Sequence, residues 1–202
     1  MASYRWHVGW CNETYLPNAR GFDTYKGIWH SGTDHYSYLD NDQDSYDLHS
    51  NLEPDYTYDG NYSTDTYASY AQSVIEAHDT SSPMFLYVAS NTMHTPWEAP
   101  TEYKSQYNGY GLTRTRKIAS AMVTATDDLI ATIKQSLESK GMWENTVFIF
   151  ASDNGGLATG GASNWPLRGS KTTYFEGGLR VPSFLYSTLF DGHLTPGSSN
   201  NW

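Results

Sequence analysis

The pentapeptide Ser152-Asp153-Asn154-Gly155-Gly156 sets a carboxylate beside a side-chain amide, directly after the apolar run Val147-Phe148-Ile149-Phe150-Ala151. Hard divalent cations such as Ca²⁺ or Mg²⁺ take roughly six to eight oxygens and accept carboxylates mixed with neutral donors. Asp153 and Asn154 therefore suit half of such a site. The apolar run reads as a buried strand, and the glycines allow a sharp turn at its carboxyl end, where open α/β sheets bind their ligands. The same residues also fit an Asx-type turn. Asp40, Asp42 and Asp44 alternate in a way that suggests calcium, but the glycine and closing glutamate of an EF-hand loop are missing, so these acids read as a solvated face.

Further groups able to do chemistry recur along the chain. Downstream lie Asn164-Trp165-Pro166-Leu167-Arg168-Gly169-Ser170-Lys171 and Phe175-Glu176-Gly177-Gly178-Leu179-Arg180-Val181-Pro182. Upstream lie Arg5-Trp6-His7-Val8-Gly9, Leu16-Pro17-Asn18-Ala19-Arg20-Gly21-Phe22-Asp23, and Phe85-Leu86-Tyr87-Val88-Ala89 followed by Met93-His94-Thr95-Pro96. In this order, from Tyr4 to about Tyr186, they resemble the sulfatase family of the alkaline phosphatase superfamily, most closely its arylsulfatase B-like branch.

That resemblance implies hydrolysis of sulfate monoesters by a formylglycine nucleophile made within a Cys/Ser-x-Pro/Ala-x-Arg motif. The chain contains no such motif, and the paired aspartates of the family's first strand are also absent. The expectation is a segment of a sulfuric ester hydrolase, inactive alone, whose nucleophile lies upstream. By the same resemblance Asp153 and Asn154 are metal ligands for one Ca²⁺, and Lys171 holds the sulfate. His94 contacts the sulfate or protonates the leaving oxygen, while His7 orients and deprotonates the nucleophile. Arg5 stands where the family has lysine; it keeps the charge on a larger, planar group. Arg168 and Glu176 are expected to form an ion pair shaping the Lys171 loop, and Gly177 and Gly178 to permit tight backbone passage. Trp97 and Trp165 fit either a flat sugar or aryl subsite or core packing. Two other readings stay open: a related phosphoryl-transfer hydrolase, and a non-catalytic protein of sulfatase fold that binds anions or partners.

Acidic residues number 22 against 12 basic ones, for a net charge of −10, which argues against nucleic acid or an anionic membrane as partner. A sulfate ester approaching such a surface needs a local cationic focus, and Arg5, His7, His94 and Lys171 supply one. No apolar stretch approaches the roughly 18 residues needed for a membrane span, and the N-terminus has no apolar signal core. Asn12-Glu13-Thr14 and Asn61-Tyr62-Ser63 fit the glycosylation pattern, pointing to a glycoprotein that is secreted or held in the lysosomal or endomembrane lumen. Cys11 is the single cysteine, and the cysteine that related enzymes carry near Tyr15 is missing.

The elements that must position these groups follow from periodicity. Residues 32–63 lack it and read as an irregular surface insertion. Tyr67, Tyr70, Ala71, Val74 and Ile75 predict one apolar helix face over 64–77, and Met84 to Ala89 predicts a buried strand. Pro96 and Pro100 keep the His94 segment a loop. Ile118, Met122, Ala125, Leu129, Ile133 and Leu137 predict a long amphipathic helix ending at Gly141, before strands at 146–151 and 181–186. Strand, helix and strand in this order predict a right-handed βαβ unit and an α/β fold, a mostly parallel sheet flanked by helices. By resemblance this is one partial sulfatase domain spanning 1–202, incomplete at its N-terminus. Lack of the first strand would leave a sheet edge uncovered and prone to aggregation.

Overall fold

A computed structural model describes residues 2–40 and 45–191, and the chain divides into two compact units, residues 1–136 and 137–202. The first unit contains β1 (Ala2–Arg5), β2 (Tyr25–Ile28), β3 (Leu39–Asp40), β4 (Ser45–Tyr46), β5 (Leu48–Ser50), β6 (Glu53–Pro54), α1 (Ser63–Ala77), β7 (Tyr87–Ala89) and α2 (Thr101–Ser105). The long helix α3 (Arg114–Ser139) carries the boundary, and β8 (Phe148–Ala151), α4 (Glu176–Leu179) and β9 (Ser183–Tyr186) follow it.

The first unit is built on a five-stranded sheet of order β6-β5-β2-β1-β7. β1 runs parallel to both β2 and β7, and β5 and β6 extend the sheet antiparallel beyond β2. Asn51 makes the tight turn between β5 and β6 in a left-handed conformation (φ 54°), and its side-chain oxygen accepts from the Tyr25 N–H at 3.0 Å. α1 buries Tyr67, Ala71 and Ile75 as its periodicity predicts. α3 buries Met122, Ala125, Leu129, Ile133 and Leu137. Its end is closed by Gly141 (φ 69°): the Gly141 N–H donates to Glu138 O at 3.0 Å and the Met142 N–H to Leu137 O at 2.8 Å.

Residues 32–63 correct the expectation of a solvated surface insertion. They supply β3 to β6, and Thr33, His35, Tyr38, Asp40, Asp47, Leu48 and His49 are all buried. Polar side chains can be buried where they hydrogen-bond. Here Asp47 accepts from the Trp29 and His30 N–H groups, and the Tyr38 hydroxyl donates to Thr66 Oγ1 at 2.7 Å. The strands here are only two or three residues long and are joined by tight turns, with buried polar side chains between them, so no hydrophobic period marks the segment. Asp42 and Asp44 lie outside the described residues.

The apolar strands also differ from expectation. β7 is an edge strand with Tyr87 half-exposed and the preceding Phe85 70% exposed. Among the described residues β8 pairs with β9 alone and antiparallel, Phe148 opposite Tyr186 and Phe150 opposite Phe184, in place of a parallel βαβ partner. Ile149 is 69% exposed, and every residue of β9 is exposed. An apolar run signals burial only where another element covers its face; here Trp143 stacks on Tyr186 at 5.5 Å and packs against Phe148, while the Ile149 side stays open.

Candidate functional site

Three neighbouring parallel strands, β2, β1 and β7, end at the same side of the sheet, and the predicted residues of the first unit follow those ends. Pairing continues past β1 and β2: the Trp6 N–H donates to Ile28 O at 2.9 Å and the His7 N–H to Trp29 O at 3.0 Å. The result is a carboxyl-end cluster of Arg5, His7, His30 and the His94 loop, the position where parallel sheets present ligand-binding groups.

Arg5 Nη2 lies 3.0 Å from His7 Nδ1. A guanidinium only donates, so His7 Nδ1 accepts and the neutral ring carries its proton on Nε2. His94 has the opposite tautomer. Its Nδ1 is 3.0 Å from Thr95 O, an acceptor, which leaves the lone pair of the neutral ring on Nε2. The His94 carbonyl accepts from His35 Nε2 at 3.3 Å, while His35 Nδ1 sits 2.8 Å from the Ser63 hydroxyl. His35 is completely buried. Burial makes it harder to protonate than an ordinary histidine, although the His94 carbonyl and Asp34 partly oppose this. Its N–H donates to Glu98 Oε2 at 3.0 Å. Burial raises the pKa of Glu98, against the pull of that N–H.

In the second unit, glycines join the Asp153-Asn154 turn to the Lys171 loop. The Gly155 N–H donates to Gly178 O at 2.9 Å, the Gly177 N–H to Arg168 O at 2.8 Å, and the Lys171 N–H to Gly156 O at 3.3 Å. A Cβ on Gly155 would sit 1.8 Å from Gly177 O, and one on Gly177 2.3 Å from Gly169 O. Only glycine fits such an approach. Asn164 clamps Gly156 from both sides, accepting from its N–H and donating to its carbonyl at 2.8 Å each.

Asp153 is exposed; Asn154 commits its amide N–H to Gly155 O at 2.9 Å and keeps Oδ1 as its acceptor. A carboxylate beside an amide oxygen suits a hard divalent ion. Among the described residues no cluster of three His, Cys, Asp or Glu side chains forms a complete metal site. Arg168 corrects one expectation: it stacks on the Phe175 ring at 3.9 Å, and Glu176 pairs instead with Arg180 across an exposed helix turn. Trp97 packs against Ala99, Ala121 and Met122, whereas Trp165 is 86% exposed.

Five described non-glycine residues hold left-handed backbone: His7 (φ 48°), Tyr38, Asn51, Met93 (φ 63°) and Thr172 (φ 76°). Three of them are, or directly adjoin, His7, His94 and Lys171. Such conformations cost of order 1 kcal/mol or more each and gather where a site needs them. Sequence reasoning missed His30, His35 and Asn164. His30 lies two residues past the end of β2, and that placement at a strand's carboxyl end was the available signal for it.

The sulfatase family model matches residues 2–189. Mouse arylsulfatase J is 39% identical over 189 residues, spanning 92% of this chain and 31% of that protein. The Escherichia coli sulfatase YdeN is 30% identical over 190 residues, with the same shares of 92% and 31%. The crystal structure of Ps i-CgsB in complex with a neocarrahexaose superposes with a TM-score of 0.84 at 30% identity, covering 92% of this chain and 44% of that one. The chain thus spans about a third of the length of the curated relatives it matches.

Proposed function

Since the chain belongs to the sulfatase family, we propose that it forms the sulfate-gripping part of a sulfuric ester hydrolase acting on an aryl or sugar sulfate. The observation that carries this reading is the coincidence of strained backbone with His7, Met93-His94 and Lys171-Thr172, at the positions the family motifs single out. Strain of this kind marks geometry that the fold maintains at a cost.

Each side chain then has a task set by its surroundings. Lys171 holds a sulfate oxygen, and its ammonium opposes the negative charge that grows there during S–O cleavage. His94, with Nδ1–H on the Thr95 carbonyl, delivers a proton from Nε2 of the charged ring to the leaving alcohol oxygen. His7 offers Nε2–H to an oxygen of the nucleophile or the ester while Arg5 occupies Nδ1. Its first contribution is orientation; removal of a proton by His7 requires the Arg5 contact to break.

Asp153 and Asn154 would hold Ca²⁺, which when bound neutralises charge on a sulfate oxygen. The formylglycine supplies the attacking oxygen of the whole enzyme, and without a Cys/Ser-x-Pro/Ala-x-Arg motif this chain alone is inactive. Trp165, exposed after the Asn164 clamp, offers a flat face to a sugar or aryl group. Asn12 and Asn61 are exposed and suit glycans, in keeping with a secreted, lysosomal or endomembrane protein.

The test is turnover of an aryl sulfate by a form extended to the length of the relatives. Lys171→Ala should lower kcat by on the order of 100-fold. Unchanged turnover removes Lys171 from the site.

A further inference from the structure

His30 stands beside His7 with no part in the chemistry above. Its ring meets the His7 ring edge-on, centroids 5.8 Å apart at 78°, and meets Trp10 at 4.7 Å and 75°. His30 Nδ1 is in ion-pair contact with Oδ2 of Asp40, which is only 3% exposed. The two atoms do not meet in hydrogen-bond geometry, but a lone pair on Nδ1 would repel the carboxylate oxygen, so the contact calls for the proton on Nδ1 of His30. A buried carboxylate is costly unless paired, and His30 supplies the partner.

The backbone of His30 is held as firmly as its ring. Its N–H donates to Asp47 Oδ2 at 2.8 Å, and the Trp29 N–H donates to Oδ1 of the same carboxylate at 3.0 Å. The carbonyl of Trp29 in turn accepts the His7 N–H at 3.0 Å. His49 stacks on Trp29 with centroids 3.6 Å apart, which closes the other side. His7 is therefore bracketed by the Arg5 guanidinium at Nδ1 and by the Asp40-anchored ring of His30 at its edge.

We propose that Asp40 and His30 form a positioning pair for His7: they hold its ring where the Arg5 guanidinium reaches Nδ1, and that Arg5 contact sets the Nε2–H tautomer. This rests on the reading of His7 as a sulfate-site residue. The charged and titratable groups around the two rings are Arg5 on β1, Asp40 on β3, and Asp47 and His49 beside and on β5. Burial pushes the Asp47 carboxyl up to about 6, against the two N–H groups it accepts, and Asp40 raises it further. Asp47 thus titrates among the histidines and is left intact in the test.

The experiment is a side-chain ¹⁵N–¹H correlation series on the 202-residue chain between pH 5 and 8, with and without inorganic sulfate. In the unmutated chain His30 should read as Nδ1–H and His7 as Nε2–H; a His30 that reads as Nε2–H overturns the proposal with no variant needed. In Asp40→Asn and His30→Gln, His7 should become a mixture of tautomers and its titration midpoint should move by about half a pH unit or more. A merely structural role would leave both unchanged wherever the amide spectrum stays dispersed, and that result also overturns the proposal. If the tautomers and shifts appear while sulfate perturbs neither His7 nor His94, the positioning pair stands and the sulfate-site reading fails.

Discussion

Arg5 Nη2 donates to His7 Nδ1 at 3.0 Å, two residues on along the chain, at the point where β1 ends and His7 turns into left-handed backbone. A charged donor on Nδ1 discourages a second proton on that ring and makes Nε2 a hydrogen-bond donor. In the proposed site Arg5 takes the place expected of a lysine, and the guanidinium reaches the imidazole nitrogen with one arm of its fork. In an extended, active form Arg5→Gln should lower kcat/KM on an aryl sulfate by about 10-fold or more, because a neutral amide replaces a charge-assisted donor. Arg5→Lys should retain most of the activity. Equal losses in both variants would show that the guanidinium plane, and not its charge, is what His7 needs.

Gly155→Ala should disrupt the interlock of the Asp153-Asn154 turn with the Lys171 loop in the second unit without changing Asp153, Asn154 or Lys171 themselves. The added methyl would fall 1.8 Å from Gly177 O, so the backbone must shift there, beside the bond from the Gly155 N–H to Gly178 O. Limited proteolysis should then cut within 153–178 at rates well above those of the unmutated chain, and the extended enzyme should lose turnover. Unchanged protection would mean that the two loops are not interlocked in solution.

Much of this arrangement was legible in the residues, and the misses share one cause. The faces of α1 and α3 were readable because a 3.6-residue period records which side is buried. The Asp153-Asn154 turn and the glycines after Phe175 were readable because close backbone approach leaves glycine as its trace. His30, His35, Asp40 and Asp47 were not, because a polar side chain buried by hydrogen bonds has the same letter as one in water. The exposed β8 and β9 failed in the opposite sense: Phe148, Ile149, Phe184 and Leu185 specify a strand to be covered, and the covering element is not encoded in their own pattern.

His35 and Asp47 should impose opposite pH dependences on stability. Burial lowers the pKa of His35 from 6.5, so its contribution is present above that pH and is lost as pH falls below it. Burial raises Asp47 from 3.8 to about 6, so its contribution is present near pH 4 and is lost as pH rises through 6. Relative to the unmutated chain, His35→Asn should lose less stability on going from pH 7.5 to 5, and Asp47→Asn should lose more. Melting temperatures at three pH values decide it. Difference curves that are flat would show that neither group is buried in its stated protonation state.

The β8-β9 ribbon should govern the solution behaviour of the chain. One face carries Phe148, Phe150, Phe184 and Tyr186, with Phe150 and Phe184 stacked at 5.3 Å; the other carries Ile149 opposite Leu185. Two-stranded ribbons are marginal alone, and contiguous exposed apolar faces of this kind drive association. Replacing Ile149→Lys together with Leu185→Glu puts opposite charges on a directly facing pair, which supports the ribbon while removing apolar surface. Light scattering at rising concentration should show the unmutated chain growing in mass and the double variant staying smaller. The stacked aromatic face is left untouched, so dye binding to apolar surface should fall only in part. A chain that is already monomeric at about 100 μM, with no difference between the two proteins, would mean that the ribbon is covered in solution; the exposure of Ile149 at 69% is the number that such a result would contradict.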